Sequence, residues 1–487
     1  MNPIDVGAKR QLFIDDRFIS TSRNVDLVVN KPVQHPEPVL LADQWWEDLG
    51  IGAYNTVMKT AADEFRMWYD ASTSAGETAG RDRHLCYAES ADGIHWEKPR
   101  LQQIEFAGSR DTNIVSPPIE HQSQQGGTVY YDEHAPAEER FKLWTKFGPY
   151  KEQMAEGMES GLHALHSSDG LEWEIYPDQP NPPKQKCDTQ NICFWDEAVG
   201  EYVGYTRVRE TQDRDPSGKS GPRYRSIGRI TSPDFHDWSE TMTVMAPDER
   251  DRNIPVPTTP PEEDTRLDYY TSCAMKYPFA ADVYLAFPSI YYHWEADSAP
   301  ATMDVQLHVS RDGIEWERPG NREPFLRMGP DGSRRSGMLF ANPWLIPVED
   351  ELWLYYAGTQ RAHNKSAEDP DSSGIFRASI RRDGFMSVDA GYDGGSFTTP
   401  PITFSGSALE LNCDGSAGGW LTVEIQDANG SPIPSHTRDV ADTVCGNDIN
   451  KRVTWNGNDN VTDLRDRAVR LRFEMRDMKL YAFQFVA

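Results

Sequence analysis

The sequence predicts an all-β chain: a five-bladed β-propeller followed by a C-terminal β-sandwich. Two observations carry that expectation. First, one turn motif recurs, as Ser90-Ala-Asp92-Gly93-Ile-His-Trp96, Ser167-Ser-Asp169-Gly170-Leu-Glu-Trp173, Ser232-Pro-Asp234-Phe-His-Asp-Trp238 and Ser310-Arg-Asp312-Gly313-Ile-Glu-Trp316, with a worn copy at Arg381-Arg-Asp383-Gly384-Phe385. The five aspartates lie 77, 65, 78 and 71 residues apart. Second, each copy follows short aromatic and β-branched runs bounded by Gly, Asp and Pro, and no long helical period competes with them. Self-similarity of this kind marks a supersecondary unit that buries its faces only against its neighbours. Asp-Gly makes a tight turn, the flanking Ser can bond to the turn backbone, and a Trp at fixed offset suits packing between adjacent sheets.

The elements follow in order. Blade one reads from Tyr54–Lys59, Phe65–Tyr69 and His84–Ala88, and blade two from Gly127–Tyr131, Phe141–Trp144 and Leu162–Leu165. Blade three reads from Asn191–Trp195, Tyr202–Tyr205 and Arg225–Ile230, and blade four from Thr271–Met275, Val283–Phe287 and Val305–Val309. Blade five reads from Met338–Ala341, Leu352–Tyr356 and Ile375–Ala378. Near 391–401 the repeat stops. Alternating runs separated by Asn-Gly and Asp-Gly turns then read as a small β-sandwich, which divides the chain into 1–398 and 399–487. The segment near 11–19 is expected to pair with the last blade and close the ring, since a propeller must cover its terminal edges.

Composition narrows the function classes. The 487 residues carry a formal net charge of −28, so nucleic acid and anionic membrane surfaces are poor partners. With 14 Trp, 20 Tyr and 19 Phe, the chain is equipped for sheet packing and for stacking on sugars. The six cysteines have neither zinc spacing nor a disulfide framework and are expected to be reduced, buried small hydrophobes. No apolar run approaches the ~20 residues of a membrane span. The start, Met1-Asn-Pro-Ile-Asp5, lacks the regions of a secretory signal, which fits a cytoplasmic protein or a secreted one whose signal has been removed. No metal-ligand spacing, phosphate loop or Gly-x-Ser-x-Gly elbow occurs. No cofactor is called for, and a structural Ca2+ in the channel is compatible with the pattern.

Residues just before each innermost strand and just after each second strand share one rim of a propeller. That rule selects Trp46, Glu47 and Asp70 from blade one and Lys146 from blade two. It selects Asp188, Gln190 and Arg207 from blade three, Asp268, Tyr291 and His293 from blade four, and Arg361 and His363 from blade five. Carboxylates from separate blades meeting at a funnel are what glycoside hydrolysis needs: one protonated to aid the leaving oxygen, another ionised. A rim Asp opening a strand serves equally well as a turn former. His293 and His363 read as sugar-hydroxyl binders or packing residues rather than metal ligands, and the turn aspartates read as structural.

The five recurring turns, three of them Ser-x-Asp-Gly, with a C-terminal β-sandwich resemble the clan of glycoside hydrolase families 32, 43 and 68. More closely, Leu12-Phe-Ile-Asp-Asp16, Asp188-Thr-Gln-Asn191, Asp383-Gly-Phe385 and Leu480-Tyr-Ala-Phe-Gln-Phe485 resemble the bacterial family-32-like hydrolases. The clan's plan implies an Asp in blade one, an Asp in blade two and a Glu in blade three as working groups. This chain departs from it, opening blade three with Asp188 and lacking the Trp-x-Asn-Asp-Pro-Asn-Gly and Glu-Cys motifs. The roles expected are Asp188 as general acid and Glu47 as base or nucleophile, with Asp268 positioning and Arg207 clamping a hydroxyl or carboxylate.

The function expected is an exo-acting glycoside hydrolase on a poly- or oligosaccharide. A polysaccharide lyase or sialidase-like enzyme on an acidic sugar is the second reading, encouraged by Arg207, Arg335, Arg361, Tyr291 and His293. A non-catalytic glycan-binding propeller is the third.

Overall fold

The structure, a computed structural model, describes residues 2–75, 82–115, 122–149, 161–177, 187–211, 223–252, 267–292, 301–363 and 369–487. Regular structure among them is almost entirely strand, the one α-helix being the four residues Glu249–Arg252.

The chain forms a β-propeller arrangement of antiparallel sheets laid down in sequence order. Gly50–Ala61, Glu64–Thr73 and Asp82–Ser90 make a three-stranded sheet. Gln122–Tyr131, Phe141–Pro149, Gly161–Ser167 and Glu174–Ile175 make a four-stranded one. Ile192–Asp196, Glu201–Thr211, Arg223–Ser232 and Met242–Met245 make another. A fourth of the same size joins Ala274–Lys276, Tyr284–Ala286, His308–Ser310 and Trp316–Glu317.

Five separate blades were expected, and here the structure differs. Four sheets have blade size; the fifth has nine strands, running from Leu267–Thr271 through Met338–Ala341 and Glu351–Thr359 to Ser373–Arg381 and Val33–Gln34. It takes the inner half of the fourth repeat into the fifth through the parallel bridge Met303↔Met338. Local chemistry explains the split. Cys273 adopts φ +41° between two halves of one strand, and Pro288, which has no N–H, interrupts the next.

The recurring turns hold neighbouring sheets together. In the first, Ser90 Oγ accepts from the N–H groups of Asp92 and Gly93, and Asp92 Oδ1 accepts from those of Ile94 and His95. With its N–H groups committed inward, the turn presents the Gly carbonyl to an aromatic side chain of the preceding sheet. Tyr355 OH donates to the Gly93 carbonyl, Trp68 Nε1 to that of Gly170 and Tyr205 OH to that of Gly313, each at 2.7 Å. Trp96 and Trp316 pack on the same tyrosines, Tyr355 and Tyr205, and Trp238 packs on Trp144. The Tyr355–Gly93 bond joins the last repeat to the first.

The strand expected to close the ring does something else. Gln11–Leu12 pairs with Val469–Val486, while the last repeat is completed by Val33–Gln34 and by backbone bonds from His35 and Val39. Phe13 and Phe18 explain the choice, since both are fully buried in the C-terminal core against Phe397 and Phe483. Nor do the sheets change partner at 398. Met386–Ala390 and Gly395–Thr398 already pair with Val469–Val486, within a ten-stranded sheet dominated by the long ladder of Ala408–Asp427 on that strand. Of the six cysteines, all free, five are buried and Cys445 is exposed.

Trp344 stands where the repeats meet. Its indole touches four of the separate apolar cores and donates to the Val129 carbonyl at 2.9 Å. It does so from φ +77°, a conformation that a bulky side chain adopts only under strong packing constraint. Trp344→Ala is expected to lower unfolding free energy by about 3 kcal/mol or more, read as a shifted urea midpoint. A change under about 1 kcal/mol would show that the indole is peripheral.

Candidate active site

A cavity of about 310 Å³ opens where the inner ends of four repeats converge. Its wall includes Gly50–Tyr54, Asp70 and Arg83 from the first repeat, Gln125 from the second, Tyr270 from the fourth, and Phe340, Arg361 and His363 from the fifth. A second cavity of about 860 Å³ is walled by Tyr130, Phe194, Trp195, Tyr277 and Trp344, and contains none of the predicted site residues. Chemistry rather than size therefore singles out the smaller one.

Asp70 is its distinctive group. It lies on Glu64–Thr73, an edge-to-edge partner of both neighbouring strands, and is 3% exposed. Oδ2 accepts one bond, from the Gly126 N–H at 3.1 Å, and Oδ1 has no partner among the described residues. Burial disfavours the charged form more than the Gly126 N–H and Arg83 favour it, so the carboxyl is pushed up to about 7. Two glycines shape the backbone around it. Gly126 sits at φ +73°, and a Cβ there would fall 2.1 Å from the Thr189 carbonyl oxygen. A Cβ on Gly52 would lie 2.7 Å from that of Asp70. Only glycine lets these backbones approach so closely.

Beside this wall stands a charged network around Tyr270. Arg207, itself 2% exposed, forms an ion pair with Asp188, whose side chain is 43% exposed. The guanidinium of Arg207 lies 5.5 Å from the Tyr270 ring centre and that of Arg225 lies 5.1 Å away. Arg225 is held in turn by buried Asp268, which accepts from its backbone N–H at 3.2 Å and its Nη1 at 3.0 Å. Gln125 ties network to cavity, donating to the Asp188 carbonyl at 3.3 Å. His363 Nε2 meets the Tyr270 hydroxyl at 3.3 Å.

Several predicted residues are placed otherwise. Glu47 is fully buried: Oε1 accepts from Tyr69 OH and Oε2 from Lys98 Nζ, each at 2.7 Å, and Oε2 also accepts from the Asp43 and Gln44 N–H groups. A carboxylate so fully bonded and so enclosed has no route to substrate, in contrast to the 43% exposed side chain of Asp188. Trp46 is likewise core, its Nε1 donating to Asn113 Oδ1 at 2.8 Å. Gln190 donates to the Asn55 and Gly127 carbonyls, stitching inner strands together. Tyr291 is buried beneath His363, their ring centres 4.7 Å apart. Lys146 is half-buried in Phe141–Pro149, opposite Gln125 and Leu162. His293 lies outside the described residues.

The structure thus brings Asp70, Arg361 and His363 to one wall, with Asp188, Arg207 and Asp268 in the adjoining network. Arg83, Gln125 and Tyr54 were missed as site residues. The signal for Arg83 was its register: it opposes Ser72, two residues from Asp70 on the same strand face. A second carboxyl pushed up to about 7 by burial, Asp304, does not line the cavity.

Glu47 offers a test of placement. Glu47→Gln leaves Lys98, 6% exposed at its side chain, short of a buried countercharge. The expected result is a loss of about 3 kcal/mol in unfolding free energy, with kcat per folded molecule little changed. A collapse of kcat at unchanged stability would restore a catalytic role.

No protein-family model matches the chain, and no curated protein matches it. Among solved structures, an N-acetylgalactosamine deacetylase from F. plautii in complex with blood group B trisaccharide is 15% identical, covering 73% of this chain and 96% of that one at a TM-score of 0.46. A glycosyl hydrolase from Bacteroides ovatus is 13% identical, with coverages of 77% and 93% and a TM-score of 0.44. A fructofuranosidase variant from Schwanniomyces occidentalis complexed with fructosylnystose is 10% identical over 99% of both chains, also at 0.44. With identities this low and TM-scores below 0.5, none of these neighbours bears on what this chain acts on.

Proposed function

We propose that the chain is a glycoside hydrolase acting at the end of an oligo- or polysaccharide, with Asp70 as general acid and Asp188 as the ionised partner. The buried Asp70 carboxyl in the cavity wall, still half protonated near neutral pH, carries this reading. Catalytic acids are tuned to such values by apolar surroundings, and a pair of carboxyl groups in contrasting environments is the signature of acid and base in sugar cleavage. Asp188 supplies the contrast, because a carboxylate paired with a guanidinium is a poor proton donor. The turn motifs and their resemblance to the propeller clan point the same way. The fold in this reading is a five-bladed ring whose interrupted fourth repeat counts as one blade, with the C-terminal strands closing as a β-sandwich.

In the reaction, the Asp70 proton passes to the glycosidic oxygen as the bond from that oxygen to the anomeric carbon breaks. The Asp188 carboxylate then either bonds to the anomeric carbon or takes a proton from the water that does. Arg207 holds Asp188 in place, and Asp268 holds Arg225 over Tyr270. A cavity of about 310 Å³ is at the small end of ligand sites, ~300–1,000 Å³, which suits a terminal sugar rather than a through-running chain.

The test is a screen of aryl glycosides and oligosaccharides for released sugar, with Asp70→Asn and Asp188→Asn as controls. Turnover by the parent that is lost in both variants supports the proposal. Binding without turnover would identify a glycan-binding propeller, and turnover indifferent to both substitutions would remove the assignment.

A further inference from the structure

Resting on the hydrolase reading of the same cavity, we propose that Arg83 and Arg361 select a sugar bearing an anionic group, a carboxylate or a sulfate. The described wall contains one carboxyl, Asp70, and two guanidinium groups, Arg83 and Arg361. That wall thus holds two guanidinium groups against one carboxyl that burial pushes up to about 7, inside a chain of net charge −28. That inversion is local, so it acts on what enters the cavity rather than on what approaches the protein. Over more than about 8 Å at physiological salt, the field of the whole chain is largely screened.

Geometry places both cations for contact. Arg83 opposes Ser72 on the neighbouring strand, diagonal to Asp70, and is half-buried. Arg361 follows Glu351–Thr359, its backbone N–H donating to Thr359 Oγ1 at 3.1 Å, and is half-buried in the part of the wall that the fifth repeat contributes. The remaining wall mixes polar groups with apolar ones, the latter including Ile51, Ala53, Met338 and Phe340. A charge-assisted bond to a half-buried guanidinium is stronger than one in water, and the planar guanidinium fork matches carboxylate and sulfate oxygens. A neutral sugar would leave both cations without an anion from the ligand. An anionic one would also offset the pull of Arg83 on the Asp70 proton, keeping the acid loaded in the complex.

The test compares aryl hexosides that differ only at C6, as hydroxymethyl, carboxylate or sulfate, in several ring configurations. The parent is expected to favour one anionic form over the neutral form by roughly 100-fold in kcat/KM. Arg83→Gln and Arg361→Gln should each cut that ratio roughly 10-fold or more, and Arg83→Lys should recover part of it. Preference for carboxylate or for sulfate supports the proposal and says which anion is bound. Equal or better turnover of the neutral form, or a ratio unmoved by both Gln variants, overturns it.

Calorimetry on Asp70→Asn with hexuronate, hexose 6-sulfate and neutral hexose separates this proposal from the reaction itself. Anion-selective binding by that variant upholds the anion site even if no glycoside is hydrolysed. An unsaturated, ultraviolet-absorbing product would overturn hydrolysis in favour of elimination while leaving anion selection standing.

Discussion

Asp70→Asn is expected to lower kcat/KM on oligosaccharides by about 10²–10⁴-fold, the usual contribution of a positioned general acid. The loss should shrink for aryl glycosides whose phenol leaves readily without a proton, because the substitution removes only the proton donor. In the parent the protonated form is the working one, so activity should fall as pH rises through about 7, the value to which burial pushes this carboxyl. The variant should lose that alkaline limb. A stability change of opposite sense accompanies it. Near pH 3 both folded and unfolded chains hold the Asp70 proton, and the raised value costs nothing. Between its ordinary 3.8 and about 7, the unfolded chain releases the proton while the folded one keeps it, and the fold loses stability. Above that window the cost levels off at about 4 kcal/mol. Asp70→Asn should therefore be more stable than the parent at pH 8 and no more stable at pH 3, as read by urea unfolding at both. A variant both inactive and less stable at pH 8 would mean that Asp70 serves the fold.

Asp188→Asn should cost about 10²-fold or more in kcat, with less effect on KM, since the carboxylate works on the reacting centre. It also removes the carboxylate paired with the Arg207 guanidinium, 2% exposed, so some loss of stability is expected. The two contributions separate by rescue. A small anion such as azide can enter the space of the missing carboxylate and restore turnover, with a glycosyl azide as product if Asp188 is the nucleophile. Added anion has no such effect on a misfolded site. Asp188→Glu, which keeps the charge but moves it, should recover stability more than activity. Full activity in Asp188→Asn would transfer the ionised role to a different group.

Much of the ring was legible in the sequence because the turn motif is local. Ser90 and Asp92 bond within three residues of themselves, and the offset of Trp96 sets its packing on Tyr355. The division of sheets was less legible. Cys273 and Pro288 break strands inside a repeat whose motif is intact, and Phe13 and Phe18 draw the N-terminal segment into the other core. Site residues were hardest, because burial and charge pairing are decided by distant partners. Glu47 beside two tryptophans looks like a rim group until Lys98, 51 residues on, is found against it. Asp70, expected to bind substrate, is set apart by Gly52, whose missing Cβ lets the neighbouring strand close over it, and by the Gly126 N–H that it accepts from.

The proposed reaction depends on one proton, that of Asp70. Carbon-13 NMR of Asp-labelled protein, with Asp70→Asn subtracted to identify the resonance, follows the Asp70 carboxyl through its titration. A midpoint near 7 is the predicted result. A midpoint near 4 would show an ordinary carboxylate at that position and contradict its role as the acid.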